Sequence, residues 1–289
     1  MINKADIVAR IRNLPTMPGA VVRLFALAKD ESSNAGDFEQ VIRPDPAMTA
    51  NLLRLANSAY FGCRRQVTSV RQAITLLGVE RVFEIASGAF FARTMPARLP
   101  GYDVPADAFW THCIAVAALS ERLAKELGFE APSLTFTAGL LHDAGKLVIG
   151  SFLLEESERF VSSLRVEDAT LVEVERRLLG TDHAEVGALV AESWDLPPAI
   201  GWAAQWHHLP GGIPEGVDRM LVDLVHAADC LAHSLGFGAD VGELSRRVDP
   251  LVTERLGIKA RRLERVASEL IDQIGEMGKI FGQPPGART

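Results

Sequence analysis

The chain has 289 residues, of which 48% are hydrophobic and 23% are charged, and its formal net charge is −7. This length suffices to bury a large core in one or two domains, and the composition excludes a disordered or fibrous protein. Three cysteines are too few for a disulfide framework, and no signal sequence or apolar run of about 18 residues is present. We therefore expect a cytoplasmic, soluble protein without a membrane span.

The charge is unevenly distributed along the chain. Residues 1–98 contain 13 Lys and Arg against 8 Asp and Glu, whereas residues 99–289 contain 17 against 29. The acidic second part suits cation binding and argues against duplex nucleic acid as a partner. The basic first part indicates either a surface for an acidic partner or nucleotide, or attraction between two lobes of opposite charge.

The first third of the chain has the periodicity of α-helices. Asp45 and Pro46 are typical of a helix start, and apolar residues then recur on one face of residues 48–59. Ser69 opens a capping-box pattern in front of another apolar stripe. A further helix is predicted over residues 79–92.

A turn-rich segment follows, because residues 93–106 contain three prolines. We place the boundary between two lobes there, with a first helical lobe over residues 1–95 and a second over residues 106–280. Residues 281–289 read as a disordered tail. No stretch shows the alternation typical of a strand, so the sequence predicts an all-α fold.

The second lobe is predicted to consist of helices throughout. His112 shares an apolar stripe with Phe109 and Val116, so its side chain is expected to point into the core. The apolar run 134–152 reads as one central helix, and the acidic stretch 155–180 as a solvated helical surface. Three of the helices that follow carry further polar positions, at His183, at His207 and His208, and at Asp229. The chain ends in an amphipathic helix that is expected to pack on the lobe.

The central run contains the sequence LLHDAGK at residues 140–146, with His142 and Asp143 among apolar neighbours. A buried His–Asp pair is costly unless something compensates it. Either the carboxylate simply satisfies the histidine, or both side chains bind a divalent metal ion. Further His and Asp residues that converge on the pair would favour the metal.

Candidate ligands do recur, on five predicted helices. They are His112, His142, Asp143, His183, His207, His208 and Asp229. Such a set in a helical bundle is hard to explain without a cation, and imidazole with carboxylate suits Fe or Mn. His207 and His208 cannot point the same way on a helix, where neighbours differ by about 100°. Either two ions, or one ligand beside one supporting histidine, would resolve this.

The order of these residues resembles the HD superfamily of metal-dependent phosphohydrolases. The first third is similar to a narrower group, the HDOD family of HD-related output domains. That similarity rests on Leu14-Pro15, on Asp45-Pro46-Ala47 before LANSA at residues 55–59, and on Ser69-Val70 before AITLLG at residues 73–78. The resemblance covers about residues 10–235.

The resemblance implies an all-α protein in which a helical first lobe packs on an HD-like second lobe. It assigns the seven candidates to metal-ligand positions, and it places Lys146 where related phosphodiesterases contact a substrate phosphate. In the related HD-GYP enzymes, which hydrolyse cyclic di-GMP, an acidic residue and then Gly-Tyr-Pro follow the double histidine. Here Leu209 replaces the acid and Ile213 stands at the tyrosine position, which argues against that substrate.

Two functions follow from this reading. The first is a bacterial signal-transduction output protein with one or two divalent ions, whose partners are other signalling proteins, a nucleotide or a cyclic dinucleotide. The alternative is a phosphohydrolase that uses a metal-activated water, with Lys146 on the phosphoryl group and Asp143 bridging ions or orienting the water. A di-iron oxygenase is a weaker third, since no pocket for an organic substrate is evident from the sequence.

Overall fold

The structure is a computed structural model, and helices make up nearly all of the regular structure in the residues that it describes. The described residues are 4–30, 32–58, 66–128, 134–166, 169–238 and 246–280. The predicted all-α fold is confirmed. No helix within these ranges is both long enough and apolar enough to cross a bilayer.

The first lobe contains helices α1 to α6. They are Lys4–Arg12, Gly19–Lys29, Ala35–Ile42, Pro46–Ala56, Val70–Leu77 and Val79–Thr94. The predicted starts of α4 and α5 are confirmed. Asp45 accepts hydrogen bonds from two backbone N–H groups in the first turn of α4, and Ser69 accepts one from the backbone N–H of Gln72 in α5. These side chains satisfy donors that a helix start leaves unpaired.

A short hairpin connects the lobes. Strands β1, Arg98–Leu99, and β2, Val104–Pro105, pair antiparallel. The expectation of no strand is therefore wrong at this point. Gly101 and Asp103 both adopt positive φ angles, +73° and +58°, which turn the chain back within four residues.

The second lobe contains helices α7 to α16. They are Ala106–Glu126, Thr135–Leu141, Lys146–Glu155, Ser157–Val166, Leu171–Leu179, His183–Ser193, Pro198–Trp206, Met220–Ser234, Pro250–Leu256 and Ala260–Ile280. Helix α7 lies at the centre and packs against α8, α14 and α16. As predicted, the last helix packs on this lobe, and Trp110 of α7 donates a hydrogen bond of 3.0 Å to the carbonyl of Gly278.

Two predictions for this lobe are wrong. The run 134–152 is not one helix, because α8 ends at Leu141 and α9 begins at Lys146, with a turn between them. The stretch 155–180 is not a solvated surface throughout, because Glu175 of α11 is completely buried. Leu171 and Val174 lie on the same buried face, so a stripe directs Glu175 inward.

One continuous hydrophobic core joins the two lobes. Helix α6 packs on α8, and α1 packs on both α9 and α12. Trp194, at the end of α12, donates a hydrogen bond of 3.1 Å to the carbonyl of Pro15, and its ring centroid lies 5.2 Å from that of Phe90. The first lobe therefore rests on the helices that lead to the candidate ligands. The limits 1–95 and 106–280 stay predictions, and the predicted tail lies outside the described residues.

Candidate metal centre

The structure brings all seven predicted ligand residues together inside the second lobe. His112 comes from α7, His142 and Asp143 from the turn between α8 and α9, His183 from the start of α12, His207 and His208 from the end of α13, and Asp229 from α14. Six of them are buried and His208 is half-buried. Five segments that are distant in sequence thus supply one cluster, which we call the His–Asp centre.

The turn that carries His142 and Asp143 depends on a close approach to α12. A Cβ atom on Gly145 would lie only 1.9 Å from the carbonyl oxygen of His183 and 2.6 Å from the amide nitrogen of Gly187. Only glycine fits at such a distance. Because the chain leaves the helix here, His142 and Asp143 face the interior together, which a continuous helix would prevent.

The end of α13 likewise allows two consecutive residues, His207 and His208, to face the interior together. The prediction that His207 and His208 point in different directions is wrong, because both belong to one group of ligand atoms: His207 caps α13, and His208 follows the end of the helix. Their ring centroids are only 3.9 Å apart. Both imidazoles therefore reach the His–Asp centre.

The candidate ligand atoms form two groups. In the His112 group (His112, His142 and Asp229), the Nε2 atom of His112 lies 3.3 Å from the Nε2 atom of His142 and 3.3 Å from Oδ1 of Asp229. In the His183 group (Asp143, His183, His207 and His208), the Nε2 atoms of His183 and His208 are 2.6 Å apart. Within each group the ligand atoms all lie within 4.8 Å of one another.

Asp143 lies between the two groups. Its Oδ2 atom is 3.4 Å from Nε2 of His142 and 3.6 Å from Nε2 of His112. Its Oδ1 atom is 3.3 Å from Nε2 of His183 and 3.7 Å from Nε2 of His207. Each carboxylate oxygen thus faces one group, so Asp143 could contribute one ligand atom to each.

Hydrogen bonds fix the orientation of three imidazoles. The Nδ1–H groups of His142 and His207 each donate 2.7 Å bonds to backbone carbonyls, of Gly139 and Ala204. The Nδ1–H of His183 donates a 2.7 Å bond to Glu175, which also accepts a hydrogen bond of 2.6 Å from the Tyr102 hydroxyl. In each case Nε2 is left to face the centre, as is typical of metal-binding histidines.

Electrostatics favour the metal-binding forms of several side chains. Burial lowers the pKa of His207 well below its usual value, and burial with the Arg246 guanidinium does the same to His208. Burial alone would raise the pKa of Asp143, but Lys146 and His142 hold it well below its ordinary value. Neutral imidazoles and ionised carboxylates are the forms that bind metal ions.

Among the described residues, four atoms of the seven candidates are buried without a hydrogen-bond partner. One is Nδ1 of His112, and the other three face neighbouring ligand atoms: Asp143 Oδ1, His207 Nε2 and Asp229 Oδ1. Buried polar atoms are almost always satisfied, so three in one cluster require an explanation. A divalent cation accepts lone pairs from these atoms, and the donor set suits Fe or Mn, so the residues present fit a metal ion.

Sequence reasoning missed three residues that adjoin the ligands. Glu175 orients His183, and its position on the buried stripe of α11 could have indicated this. His233 lies 3.5 Å from Oδ1 of Asp229, four residues earlier on α14, which is the spacing of one helix face. Arg246 contacts Asp229 and His208, and no sequence signal predicts that contact.

The surroundings of the centre include a buried lysine and a pocket. The Nζ atom of Lys146 lies 2.8 Å from Oδ2 of Asp143. A pocket of about 360 Å³ reaches His207 and His208, and its wall includes Trp206, Arg246 and Arg247. Ile213, which stands where HD-GYP enzymes have a tyrosine, is buried in the core.

Comparison with known proteins agrees with this architecture. A curated relative, an uncharacterized protein of Treponema pallidum (strain Nichols), is 23% identical over 212 residues, which are 73% of this chain and 40% of that protein. An HDOD domain protein of unknown function from Geobacter sulfurreducens superposes with a TM-score of 0.74 at 25% identity, covering 96% of this chain and 98% of the other. A protein of Shewanella amazonensis SB2B, provisionally named a phosphohydrolase, gives the same TM-score and coverage at 26% identity.

The family is decided by the sequence match. The profile of the HDOD domain matches residues 14–210, which include the whole first lobe from Leu14 onward and six of the seven candidate ligands. This chain belongs to the HDOD domain family.

Proposed function

We propose that this chain is a metal-dependent regulatory protein of bacterial signal transduction. In this proposal the His–Asp centre holds one or two divalent ions, Fe or Mn, on His112, His142, Asp143, His183, His207, His208 and Asp229. The main support is the set of three buried ligand atoms, on Asp143, His207 and Asp229, that have no hydrogen-bond partner within the described residues. An ion on these atoms would tie five chain segments to one another.

The contacts of the first lobe support a regulatory role for the ion. Helix α1 packs on α12, which begins with the candidate ligand His183, and α6 packs on α8, which leads into His142. Ordering of α8 and α12 by a bound ion would therefore alter the stability of the first lobe. The partner is expected to be another signalling protein that recognises the ordered first lobe.

Hydrogen exchange tests this proposal directly. Addition of Mn²⁺ or Fe²⁺ to the metal-free protein is expected to slow amide exchange in α1 and α6 as well as in the second lobe. The variant His207→Ala should lose the response, whereas Asp103→Asn, an exposed carboxylate change in the hairpin, should keep it. Protection confined to α7 to α16 would contradict the regulatory role.

A second candidate function, metal-dependent hydrolysis of a phosphoester, is favoured by Lys146 beside Asp143 and by the pocket that reaches His207 and His208. The chemistry that a divalent ion supplies is a water molecule of lowered pKa at neutral pH. Lys146, held by Asp143, would neutralise the phosphoryl oxygens, and Trp206, Arg246 and Arg247 would line the space for the rest of the substrate. The buried Ile213 makes cyclic di-GMP a weaker candidate than other phosphoesters.

Turnover separates the two functions. The protein loaded with Mn²⁺ or Fe²⁺ is assayed with bis(p-nitrophenyl) phosphate, nucleotides and cyclic dinucleotides. A hydrolase should show turnover that falls about 100-fold or more in Lys146→Met, since electrostatic stabilisation of transferred charge is lost. A purely regulatory protein should show no turnover with any of these substrates or ions.

A further inference from the structure

The most unusual contact in the His–Asp centre comes from outside the predicted ligand set. Arg246 lies in segment 246–249, which precedes α15 and has no regular secondary structure. Its Nη1 atom pairs with Oδ2 of Asp229, and its Nη2 atom contacts the imidazole of His208 at Nδ1 and lies 3.1 Å from Nε2 of the same ring. Asp229 belongs to the His112 group and His208 to the His183 group, so one guanidinium contacts both.

A histidine that faces away from the ligands anchors this segment. The backbone N–H of Asp249 donates a 2.9 Å hydrogen bond to Nε2 of His226. The Nδ1–H of His226 in turn donates a 2.6 Å bond to the carbonyl of His207. The Arg246 segment is therefore fixed to the backbone of the double histidine, and this holds the guanidinium beside Asp229 and His208. The role of His226 is structural.

The contacts of Arg246 affect the two groups differently. At Asp229 the guanidinium uses Oδ2, and Oδ1 is left facing His112 at 3.3 Å. At His208 it donates to Nδ1, the nearer ring nitrogen, so the neutral imidazole carries its proton on Nε2, which lies 2.6 Å from Nε2 of His183 in the same ligand group. A protonated ring nitrogen has no free lone pair and cannot bind a metal ion.

We infer that Arg246 acts as a built-in cation that competes with the second metal ion. With Arg246 in place, an ion can bind the His112 group with Asp143, while His208 is withheld from the His183 group. The positive charge of the guanidinium also opposes a second divalent ion close by. Displacement of the segment 246–249 would release His208 and complete the second site. This inference rests on the metal centre of the proposed function.

Titration of metal-free protein with Mn²⁺, followed by calorimetry and elemental analysis, tests the inference. The wild type should bind one ion tightly and a second one weakly. The variant Arg246→Ala should bind the second ion about 10- to 100-fold more tightly, since a nearby positive charge is removed and His208 is freed. Arg262→Ala removes the same charge from an exposed residue of α16, outside the pocket, and should behave as the wild type.

The outcomes distinguish this inference from the proposed function. If the wild type binds ions but Arg246→Ala shows the same number and affinities, the competition is refuted and the metal centre stands. Loss of the tight ion in Arg246→Ala would also refute it, because Arg246 would then support binding. If neither protein binds any ion, the metal centre itself is refuted. Circular dichroism of Arg246→Ala and of the milder Arg246→Gln establishes that the binding data come from folded protein.

Discussion

The His–Asp centre and a network at the lobe interface are two buried clusters of charged side chains among the described residues, and they differ in how many of their polar atoms have a hydrogen-bond partner. At the lobe interface, Arg81 donates hydrogen bonds of 2.6 Å to Glu84 and 2.8 Å to Glu121. Lys125 pairs with Glu121 as well. No carboxylate oxygen of this interface network is among the buried atoms that lack a hydrogen-bond partner within the described residues.

The His–Asp centre is constructed differently. Lys146 and Arg246 each contact one carboxylate, yet Asp143 and Asp229 both keep an oxygen without a hydrogen-bond partner within the described ranges, and so does the Nε2 atom of His207. Buried groups that the protein does not satisfy are costly unless a ligand satisfies them. A buried network in which every polar atom has a hydrogen-bond partner indicates a structural role. A buried network that leaves polar atoms without a partner indicates a binding site. The predictions below test this distinction.

The largest effect is expected from Asp143→Ala, because both oxygens of this residue face candidate ligand groups. Its metal content after anaerobic purification without an affinity tag should fall from one or two equivalents to below about a tenth. Elemental analysis measures the change. Because the variant leaves the Lys146 ammonium buried without its carboxylate, the double variant Asp143→Ala/Lys146→Met serves as the control for folding. Undiminished metal in either variant would contradict the site.

A substitution in the interface network should lower the stability of the fold and leave the metal content unchanged. Arg81→Met leaves the buried Glu121 carboxylate without its main cation and Glu84 without its hydrogen-bond donor, which should lower the free energy of unfolding by about 3–5 kcal/mol. Urea denaturation measures it. Arg71→Met is the matched control, because Arg71 pairs with Glu39 at 2.8 Å with 64% of its side chain exposed, and its loss should cost less than about 1 kcal/mol. Equal losses in the two variants would refute a structural role for the network.

A smaller effect is expected where a side chain acts on the metal through a ligand. Glu175→Gln weakens the hydrogen bonds that orient His183, so the affinity for Mn²⁺ should fall by about 10- to 100-fold without loss of the fold. Calorimetric titration measures the affinity. Glu192→Gln, an exposed change at the other end of α12, is the control. An unchanged affinity in Glu175→Gln would show that Glu175 merely fills the core.

The two clusters also differ in how far the sequence predicts them. The seven ligand candidates stand out because histidine and aspartate interrupt apolar stripes, and the structure brings all of them together. Their geometry was not predictable from periodicity, because the turn at residues 142–145 depends on tertiary packing, and Pro210 indicates the end of α13 only to within a few residues. Gly145 illustrates this, since its need for glycine arises from a contact with His183, 38 positions along the chain.

The interface network shows where sequence reasoning fails altogether. Arg81 and Glu84 look like an ordinary surface pair on α6, and Glu121 and Lys125 look like another on α7. Only the packing of α7 against the first lobe buries them together. Charges of this kind have no pattern in the sequence that separates them from a solvated helix face.

The smallest effect that we predict concerns the pH dependence of stability through Glu84. Burial, opposed by Arg81 and reinforced by Glu121, raises the pKa of Glu84 from 4.5 to about 8. A carboxyl group with a raised pKa in the folded state stabilises the protein at low pH, and this contribution is lost as the pH rises from about 4.5 through about 8. Glu121, whose pKa Arg81 and Lys125 lower to about 2 against the effect of burial, stays ionised across this window.

The difference in unfolding free energy between Glu84→Gln and the wild type isolates this contribution, because the histidines titrate equally in both proteins. The variant should gain about 1–2 kcal/mol relative to the wild type between about pH 6 and about pH 8. Glu80→Gln, an exposed change on the same helix that removes the smallest of the contributions to the raised pKa of Glu84, should leave most of the wild-type dependence intact. A difference that stays constant with pH would mean that Glu84 is ionised in the folded protein. Arg81 and Lys125 would then face two ionised carboxylates, and the interface network would be a fully charged cluster held by ion pairs alone.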